Sequence, residues 1–176
     1  MTRPPDPALA ADIARVATLR GSFRLRSGQI ADTYFDKYRF EGDPALLRRV
    51  ADAMLALVPP ETEVLAGLEL GGVPIATAMA LGSGLPAVFV RKQAKSYGTC
   101  LAVEGGDVTG RRVLLVEDVI TTGGAVADAA ALVRAAGAQI VGVVCAIWRG
   151  EGAPHIAGLP DLPVRAALTR ADLAGG

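Results

Sequence analysis

The feature that most constrains the fold is a series of short, continuously apolar segments that alternate with helical patterns. Four such segments predict strands: Val64–Leu68, Ala87–Val90, Val113–Val116 and Ile140–Ile147. Helices are predicted at Pro74–Leu81, after a turn at Gly71–Gly72, and at Ala125–Ala136. Strands that are apolar on both faces need cover on both faces, which is typical of parallel sheets. We therefore expect an α/β fold, a central mainly parallel sheet with helices on both faces and Val164–Leu168 as an edge strand.

The first 42 residues lack this alternation, and they predict a smaller element beside the core. Apolar residues recur at helical spacing at Leu9, Ile13, Val16 and Leu19. This spacing predicts a helix over residues 7–20 that ends at Gly21. The stretch from Phe23 to Phe40, rich in aromatic residues, then predicts a hairpin of two extended segments. Asp43 and Pro44 are typical of a helix N-cap and first position, so a second helix is expected to begin there.

Composition bounds the class of protein and its partners. The 176 residues suit one domain, with an N-terminal helix and hairpin at 1–42, an α/β core at 43–150 and a tail at 151–176. Lys and Arg total 18, as do Asp and Glu, and this balance argues against DNA or RNA as a partner. A single histidine makes a zinc site of the usual ligands improbable. With no secretory signal and no membrane-length apolar run, we expect a cytoplasmic enzyme with reduced thiols and no membrane partner.

The most informative motif is an acidic pair followed by a glycine-rich turn. Glu117 and Asp118 follow the strand Val113–Val116, and Thr121–Gly124 then lead into a helix. Glycine N–H groups, threonine hydroxyls and a helix N-terminus suit a phosphate, while the acidic pair suits sugar hydroxyls or a metal-bound diol. The alternative is a plain tight turn beside a solvated strand end. Because adjacent carboxylates repel a phosphate unless a diol or cation intervenes, the motif predicts a sugar-phosphate site at the carboxyl edge of the sheet.

A polar segment between two predicted strands carries the cations Arg91, Lys92 and Lys95. Long loops are often functional. Three cations within five residues suit a pyrophosphate leaving group, which closure of the loop would screen from water. A solvated charged loop is the alternative. The position of the segment between two site-forming strands favours the functional interpretation.

Several segments together resemble a known family. The stretch VLLVEDVITTGG is similar to the phosphoribosyl pyrophosphate signature of the type I phosphoribosyltransferases. GSFRLRSGQIADTYFD and RKQAKSYGTCLAVEG resemble the N-terminal element and the mobile catalytic loop of the orotate phosphoribosyltransferases, and WRGEG extends the match, which runs from about Gly21 to Gly152. The resemblance implies a type I phosphoribosyltransferase-like fold with a small N-terminal hood. It also implies transfer of a phosphoribosyl group from phosphoribosyl pyrophosphate to orotate, giving orotidine 5′-phosphate and pyrophosphate.

The resemblance also implies site residues. For phosphoribosyl pyrophosphate these are Arg26, Arg91, Lys92, Lys95, Tyr97, Glu117, Asp118, Val119, Ile120, Thr121, Thr122, Gly123, Gly124 and Ala125. For orotate they are Tyr34, Phe35, Thr121 and Arg149, although Tyr34 and Phe35 equally suit a core. Lys92, Lys95 and Asp118 are expected to be catalytic, with Glu117 and Asp118 holding ribose hydroxyls directly or through water. Mg²⁺ is expected to bind through substrate oxygens, with Glu117 and Asp118 as candidate protein contacts.

The resemblance further implies a homodimer in which the 91–106 loop of one subunit reaches the site of the other, so that Arg91 and Lys95 act in trans. Two positions depart from the family pattern: Tyr97 stands where histidine is common, and Gly71 where many members carry lysine. Backbone N–H groups of Glu69–Gly72 would then bind pyrophosphate with help from Arg26, unless the segment is a plain turn into the helix. Alternative functions are transfer to a purine or other base, and nucleotide sensing by a non-catalytic regulator.

Overall fold

The computed structural model describes residues 6–24, 27–93 and 101–175. The helices are α1 Pro7–Ala17, α2 Tyr38–Glu41, α3 Pro44–Leu55, α4 Glu69–Ser83, α5 Gly124–Ala135 and α6 Arg170–Ala174. The strands are β1 Thr18–Arg24, β2 Ile30–Phe35, β3 Val64–Leu68, β4 Ala87–Val90, β5 Val103–Glu104, β6 Arg112–Ile120, β7 Gln139–Trp148 and β8 Val164–Thr169. No helix in the described part of the chain is both long and apolar enough to cross a membrane.

Six strands form the central sheet, in the order β5-β4-β3-β6-β7-β8. All neighbouring pairs are parallel except β4 and β5, which are antiparallel. The predicted α/β architecture is therefore confirmed, and β8 occupies the edge expected for Val164–Leu168. Strand β3 leads to β4 on one side, whereas β6 to β8 lie on its other side. The connection reverses between β3 and β6, and open α/β sheets bind ligands at the carboxyl ends of strands beside such a switch point.

Strand β6 is longer than the predicted Val113–Val116. Its pairing with β3 ends at Val116, but its pairing with β7 continues to Ile120, opposite Trp148. Glu117 and Asp118 therefore lie within β6 and not after it. They still reach the crevice, because none of the described strands pairs with β6 on the β3 side beyond Val116.

Buried side chains cover both faces of the sheet. On one face, α1, α3 and α4 pack Ile13, Met54 and Met79 against Leu65 of β3. On the other, α5 and the tail pack Val133 and Ile156 against neighbouring positions of the strands. Alternate residues of β3 and β6 face opposite layers, as the two-residue period of a strand requires. Asp118 shares the face of Leu114 and Val116, toward α4.

The N-terminal element contains one confirmed prediction and two wrong ones. Strands β1 and β2 form the predicted antiparallel hairpin. The predicted helix over residues 7–20 ends at Ala17, because Thr18 pairs with Phe35 in the hairpin. The second extended segment was expected to continue to Phe40, but Tyr38–Glu41 form α2 and bury the Phe40 ring. Burial of that ring overrides the preference of aromatic residues for strands.

Helix starts are set by acidic caps and by one pair of glycines. Asp43 accepts hydrogen bonds from Ala45 N and Leu46 N at 2.9 and 3.1 Å, which confirms the predicted start of α3. The predicted turn at Gly71–Gly72 is wrong, because both glycines lie in the first turn of α4. A β-carbon on Gly72 would overlap the carbonyl oxygen of Val116. The glycine pair thus lets α4 begin in contact with β6.

Candidate active site

The glycine-rich turn after β6 leads directly into α5. Thr121 and Thr122 are exposed, Gly123 has φ +79°, and Gly124 begins the helix. A β-carbon on Gly124 would meet no atom of the described residues within 4 Å, so there is room beside the start of the helix. The helix N-terminus adds a partial positive charge there. The turn therefore has the form of an anion site.

The segment after β7 packs against this turn. Ile156 is buried against Gly123, where a β-carbon would come within 2.7 Å of its side chain. A β-carbon on Gly150 would lie 2.7 Å from the carbonyl oxygen of Thr121 and would also overlap the Trp148 ring. The Trp148 indole N–H donates to the carbonyl oxygen of Gly152 at 3.0 Å. The turn is thus held between α5 and a packed piece of the tail.

Asp118 lies at the centre of a buried group of charges. Its Oδ2 is 2.5 Å from the Lys37 ammonium, and its Oδ1 accepts a hydrogen bond from Val119 N at 2.5 Å. Glu41 of α2 and the neighbouring Glu117 also face its carboxyl group. The Asp118 side chain is 1% exposed and that of Lys37 is 33% exposed. The hood element therefore supplies two of the groups around the acidic residue of β6.

Burial and charge separate the pKa values of these groups. Burial, reinforced by Asp118, raises the pKa of Glu117 to about 9 and that of Glu41 to about 8. Burial opposes ionisation of Asp118 as well, but hydrogen bonds with Glu117 and Lys37 outweigh it and lower the pKa of Asp118. Near neutral pH these shifts favour the carboxylate form of Asp118, paired with the Lys37 ammonium, and the protonated forms of Glu117 and Glu41. Lys37 and protonation thus reduce the negative charge that the acidic pair presents to a phosphate.

A second set of polar contacts lies where β7 ends. Arg149 N donates to the carbonyl oxygen of Ile120 at 2.8 Å, immediately before Thr121. Its guanidinium lies over the Phe35 ring, 5.1 Å from the centroid. Tyr34 points to the other face of β2 and packs on Phe23, with ring centroids 5.6 Å apart. The structure therefore brings Phe35, but not Tyr34, to Arg149.

Comparison with known proteins agrees with this geometry. The family model described as "Phosphoribosyl transferase domain" matches residues 43–160. An orotate phosphoribosyltransferase of Nocardioides sp. is 58% identical over 168 residues, covering 96% of this chain and 94% of the relative. The chain belongs to the orotate phosphoribosyltransferases. It is therefore a pentosyltransferase of that family, as its motifs predicted.

Solved structures of orotate phosphoribosyltransferases have the same fold. The enzyme of Mycobacterium tuberculosis in complex with Fe(III) dicitrate is 35% identical, with a TM-score of 0.82 over 95% of this chain and 97% of that one. The same enzyme in complex with phosphoribosyl pyrophosphate is 33% identical, with a TM-score of 0.80 over 96% and 98%. The type I phosphoribosyltransferase fold expected for this chain is thereby confirmed.

The cationic segment after β4 leads into β5, which pairs with β4. Arg91 N donates to the carbonyl oxygen of Ala102 at 2.9 Å, which continues the antiparallel pairing of β4 and β5. Arg91 and Lys92 are exposed at the carboxyl end of β4. Lys95 and Tyr97 lie outside the described residues, as does Arg26. The described ends of the loop thus lie at the same edge of the sheet as the acidic pair.

Sequence analysis missed that Lys37 and Glu41 lie beside Asp118. Their spacing of four residues puts both on one side of a helical turn, and that spacing was the available signal. The stretch was interpreted as extended because of its aromatic residues. No group of three or more His, Cys, Asp or Glu that could hold a metal occurs among the described residues.

Proposed function

We propose that the phosphoribosyl group binds along Glu117–Ala125 and that orotate binds beside Arg149. The observation that carries this proposal is that the groups suited to each part of the substrate lie on one short stretch of backbone or are hydrogen-bonded to it. Asp118, the exposed turn and the start of α5 follow one another, and Arg149 is hydrogen-bonded to the same segment at Ile120. A phosphate, a ribose and a base can therefore be held side by side.

The 5′-phosphate binds at the N-terminus of α5. The N–H groups of Gly123, Gly124 and Ala125 and the hydroxyls of Thr121 and Thr122 supply donors around it. Val119 and Ile120 hold this turn in line with the sheet, since β6 pairs with β7 up to Ile120. The phosphate is thus fixed at one end of the substrate.

The ribose hydroxyls bind to the acidic pair. Asp118 carries a negative charge and accepts hydrogen bonds, while the protonated Glu117 can donate one. The N1 atom of orotate bonds to C1 as the C1–O bond to pyrophosphate breaks, through a transition state with positive charge on the ribose, and the N1 proton leaves with the pyrophosphate. The Asp118 carboxylate favours that charge, and the rigid turn keeps the reacting atoms in position.

Orotate is held by the Arg149 guanidinium, which can pair with its carboxylate or with adjacent carbonyls. The Phe35 ring lies beside it, and the Thr121 hydroxyl is available next to Ile120. Tyr34 is retained as a predicted orotate contact from the family pattern. Its packing on Phe23 does not support that role.

The cationic loop covers the pyrophosphate. Arg91, Lys92 and Lys95 stabilise the leaving group, with Lys92 and Lys95 as catalytic residues, and Arg26 and Tyr97 are proposed as further pyrophosphate contacts. We propose that the chain forms a homodimer in which this loop serves the site of the partner. Residues 1–176 are further proposed to form one domain, acting in the cytoplasm.

The substrates are proposed to bind with Mg²⁺. The described residues form no group of three or more metal ligands, burial raises the pKa of Glu117 to about 9, and Asp118 is paired with Lys37. This donor set fits an ion held mainly by substrate oxygens, with Glu117 and Asp118 as the nearest carboxyl groups. When bound, Mg²⁺ neutralises charge on the pyrophosphate.

The assay mixes the protein with Mg²⁺, phosphoribosyl pyrophosphate and orotate, and follows the loss of orotate absorbance. We expect turnover with orotate and none with hypoxanthine, adenine or uracil. Turnover with another base and none with orotate would refute the proposed base while retaining the phosphoribosyl site. Binding of nucleotides without turnover of any base would favour a regulator.

A further inference from the structure

Lys37 lies on the most open side of the Asp118 carboxyl group. Gly71 of α4 packs against that carboxyl group, and the neighbouring Glu41 is buried. The Val119 N–H donates a hydrogen bond to its Oδ1. The Lys37 side chain is 33% exposed, and its ammonium also lies over the exposed Tyr38 ring, 5.3 Å from the centroid. A ribose hydroxyl that reaches Asp118 from this side therefore competes with the ammonium for the carboxylate.

The chain around Lys37 joins the base side of the site to the ribose side. Phe35 contacts Arg149, and Lys37, two residues further on, contacts Asp118. In phosphoribosyl pyrophosphate, C1 lies between the ribose hydroxyls and the position that the base will take, and it carries the pyrophosphate. A cation between the base contact and the hydroxyl contact therefore faces the substituents of C1.

We propose that Lys37 is a substrate-binding residue that exchanges partners: its ammonium pairs with Asp118 in the empty site and with the pyrophosphate when substrate is bound. The exchange costs little, because the ribose hydroxyls replace the ammonium on Asp118 and Lys37 gains a more highly charged anion. Asp118 stays in place, since Val119 N continues to donate to Oδ1. This inference rests on the proposed function of the site.

The test compares the wild type with Lys37→Met, which keeps an unbranched side chain without charge, and with Lys37→Arg, which keeps the charge. Calorimetry measures binding of phosphoribosyl pyrophosphate, inorganic pyrophosphate and ribose 5-phosphate, each with Mg²⁺. For Lys37→Met we expect binding of the first two to weaken by about tenfold or more, the effect of one lost charge-assisted hydrogen bond. Binding of ribose 5-phosphate changes by less than about threefold, and Lys37→Arg recovers most of the pyrophosphate affinity.

The matched control is Arg39→Met, which removes a 54% exposed cation two residues further on, in α2. It should leave all three affinities unchanged, and thermal unfolding checks that each variant is folded. Equal losses for pyrophosphate and ribose 5-phosphate would mean that Lys37 only positions Asp118, and they would overturn the inference. Unchanged pyrophosphate binding in Lys37→Met would overturn it too. A wild type that binds no phosphoribosyl pyrophosphate would instead refute the proposed function, and the inference with it.

Discussion

Replacing Gly71 by Ala tests whether the absence of a side chain at this position of α4 is what leaves room for the Asp118 carboxyl group. A β-carbon at Gly71 would overlap one Asp118 carboxylate oxygen and lie 3.1 Å from the other. The three nearest atoms to that β-carbon all belong to the Asp118 side chain. Gly71 lies in the first turn of α4, so the backbone itself accepts alanine. The Asp118 carboxyl group is what must move.

The size of the effect follows from what Asp118 would lose. Alanine in place of glycine stabilises a helix by up to about 1 kcal/mol. Against this, the displaced carboxylate loses its contacts with Lys37 and with Val119 N, and hydrogen bonds to charged groups contribute about 1.5–3 kcal/mol each. We expect a net loss of about 1–3 kcal/mol in the free energy of unfolding, because relaxation restores part of these contacts. Since misplacing a reactive group by 1 Å can reduce rates by about 100-fold, kcat/KM should fall by a similar factor.

A double-mutant cycle measures the coupling directly. Gly71→Ala is made in the wild type and in Asp118→Ala, and urea unfolding and orotate turnover are recorded. With the Asp118 carboxyl removed, Gly71→Ala should stabilise the protein by up to about 1 kcal/mol, because only the higher helix propensity of alanine then contributes. Gly82→Ala in the same helix is the control, because its nearest neighbour is only the end of the Leu55 side chain at 3.0 Å. A change in unfolding free energy that is equal in both backgrounds would refute the reasoning.

Three further predictions concern single side chains. Asp118→Asn should lower kcat by about 100-fold or more while the fold survives, and unchanged kinetics would remove Asp118 from the mechanism. The folded pKa of Glu41, about 8, lies above its ordinary value of 4.5, so wild-type stability falls as pH rises through this window, by about 1.4 kcal/mol per unit at most. Glu41→Gln does not titrate, so its unfolding free energy relative to wild type should rise between pH 5 and pH 8; a difference that is constant with pH would contradict this. Ile156→Ala should cost about 2–4 kcal/mol and raise KM for phosphoribosyl pyrophosphate, measured with the orotate assay, because Gly123 loses its support.

Local pattern explains how much of this molecule could be predicted. Strand β3 has the predicted bounds, because five consecutive buried apolar residues leave little choice of structure. Helix α3 starts where predicted, because Asp43 and Pro44 are a cap and a first turn in themselves. The stretch Tyr38–Glu41 was missed because its fold depends on burying Phe40 against helices that are distant in sequence. At Tyr38–Glu41, burial of the Phe40 ring therefore outweighs the preference of aromatic residues for extended structure.

In the candidate site, too, the features set by local sequence could be predicted and those set by tertiary packing could not. The acidic pair and its turn are contiguous in sequence, so their chemistry could be inferred from residue types alone. The ion pair between Lys37 and Asp118 joins residues that are far apart in the sequence, so the helical spacing of Lys37 and Glu41 does not identify Asp118 as their partner. Gly71 was expected only to expose backbone N–H groups. The structure adds that its missing side chain makes room for Asp118.

The packing of the tail beneath the phosphate turn also bears on which sequences can vary together. Gly123 faces Ile156, and Gly150 faces Trp148 and the backbone of Thr121. An alanine at Gly123 therefore becomes tolerable only if the residue at 156 shrinks, and positive φ still limits the choice. In a library randomised at these positions, active clones should carry matched pairs of changes and not single ones. Residues of the turn and of the tail would then change together among active sequences, although the helix α5 and the strand β7 separate them in the chain.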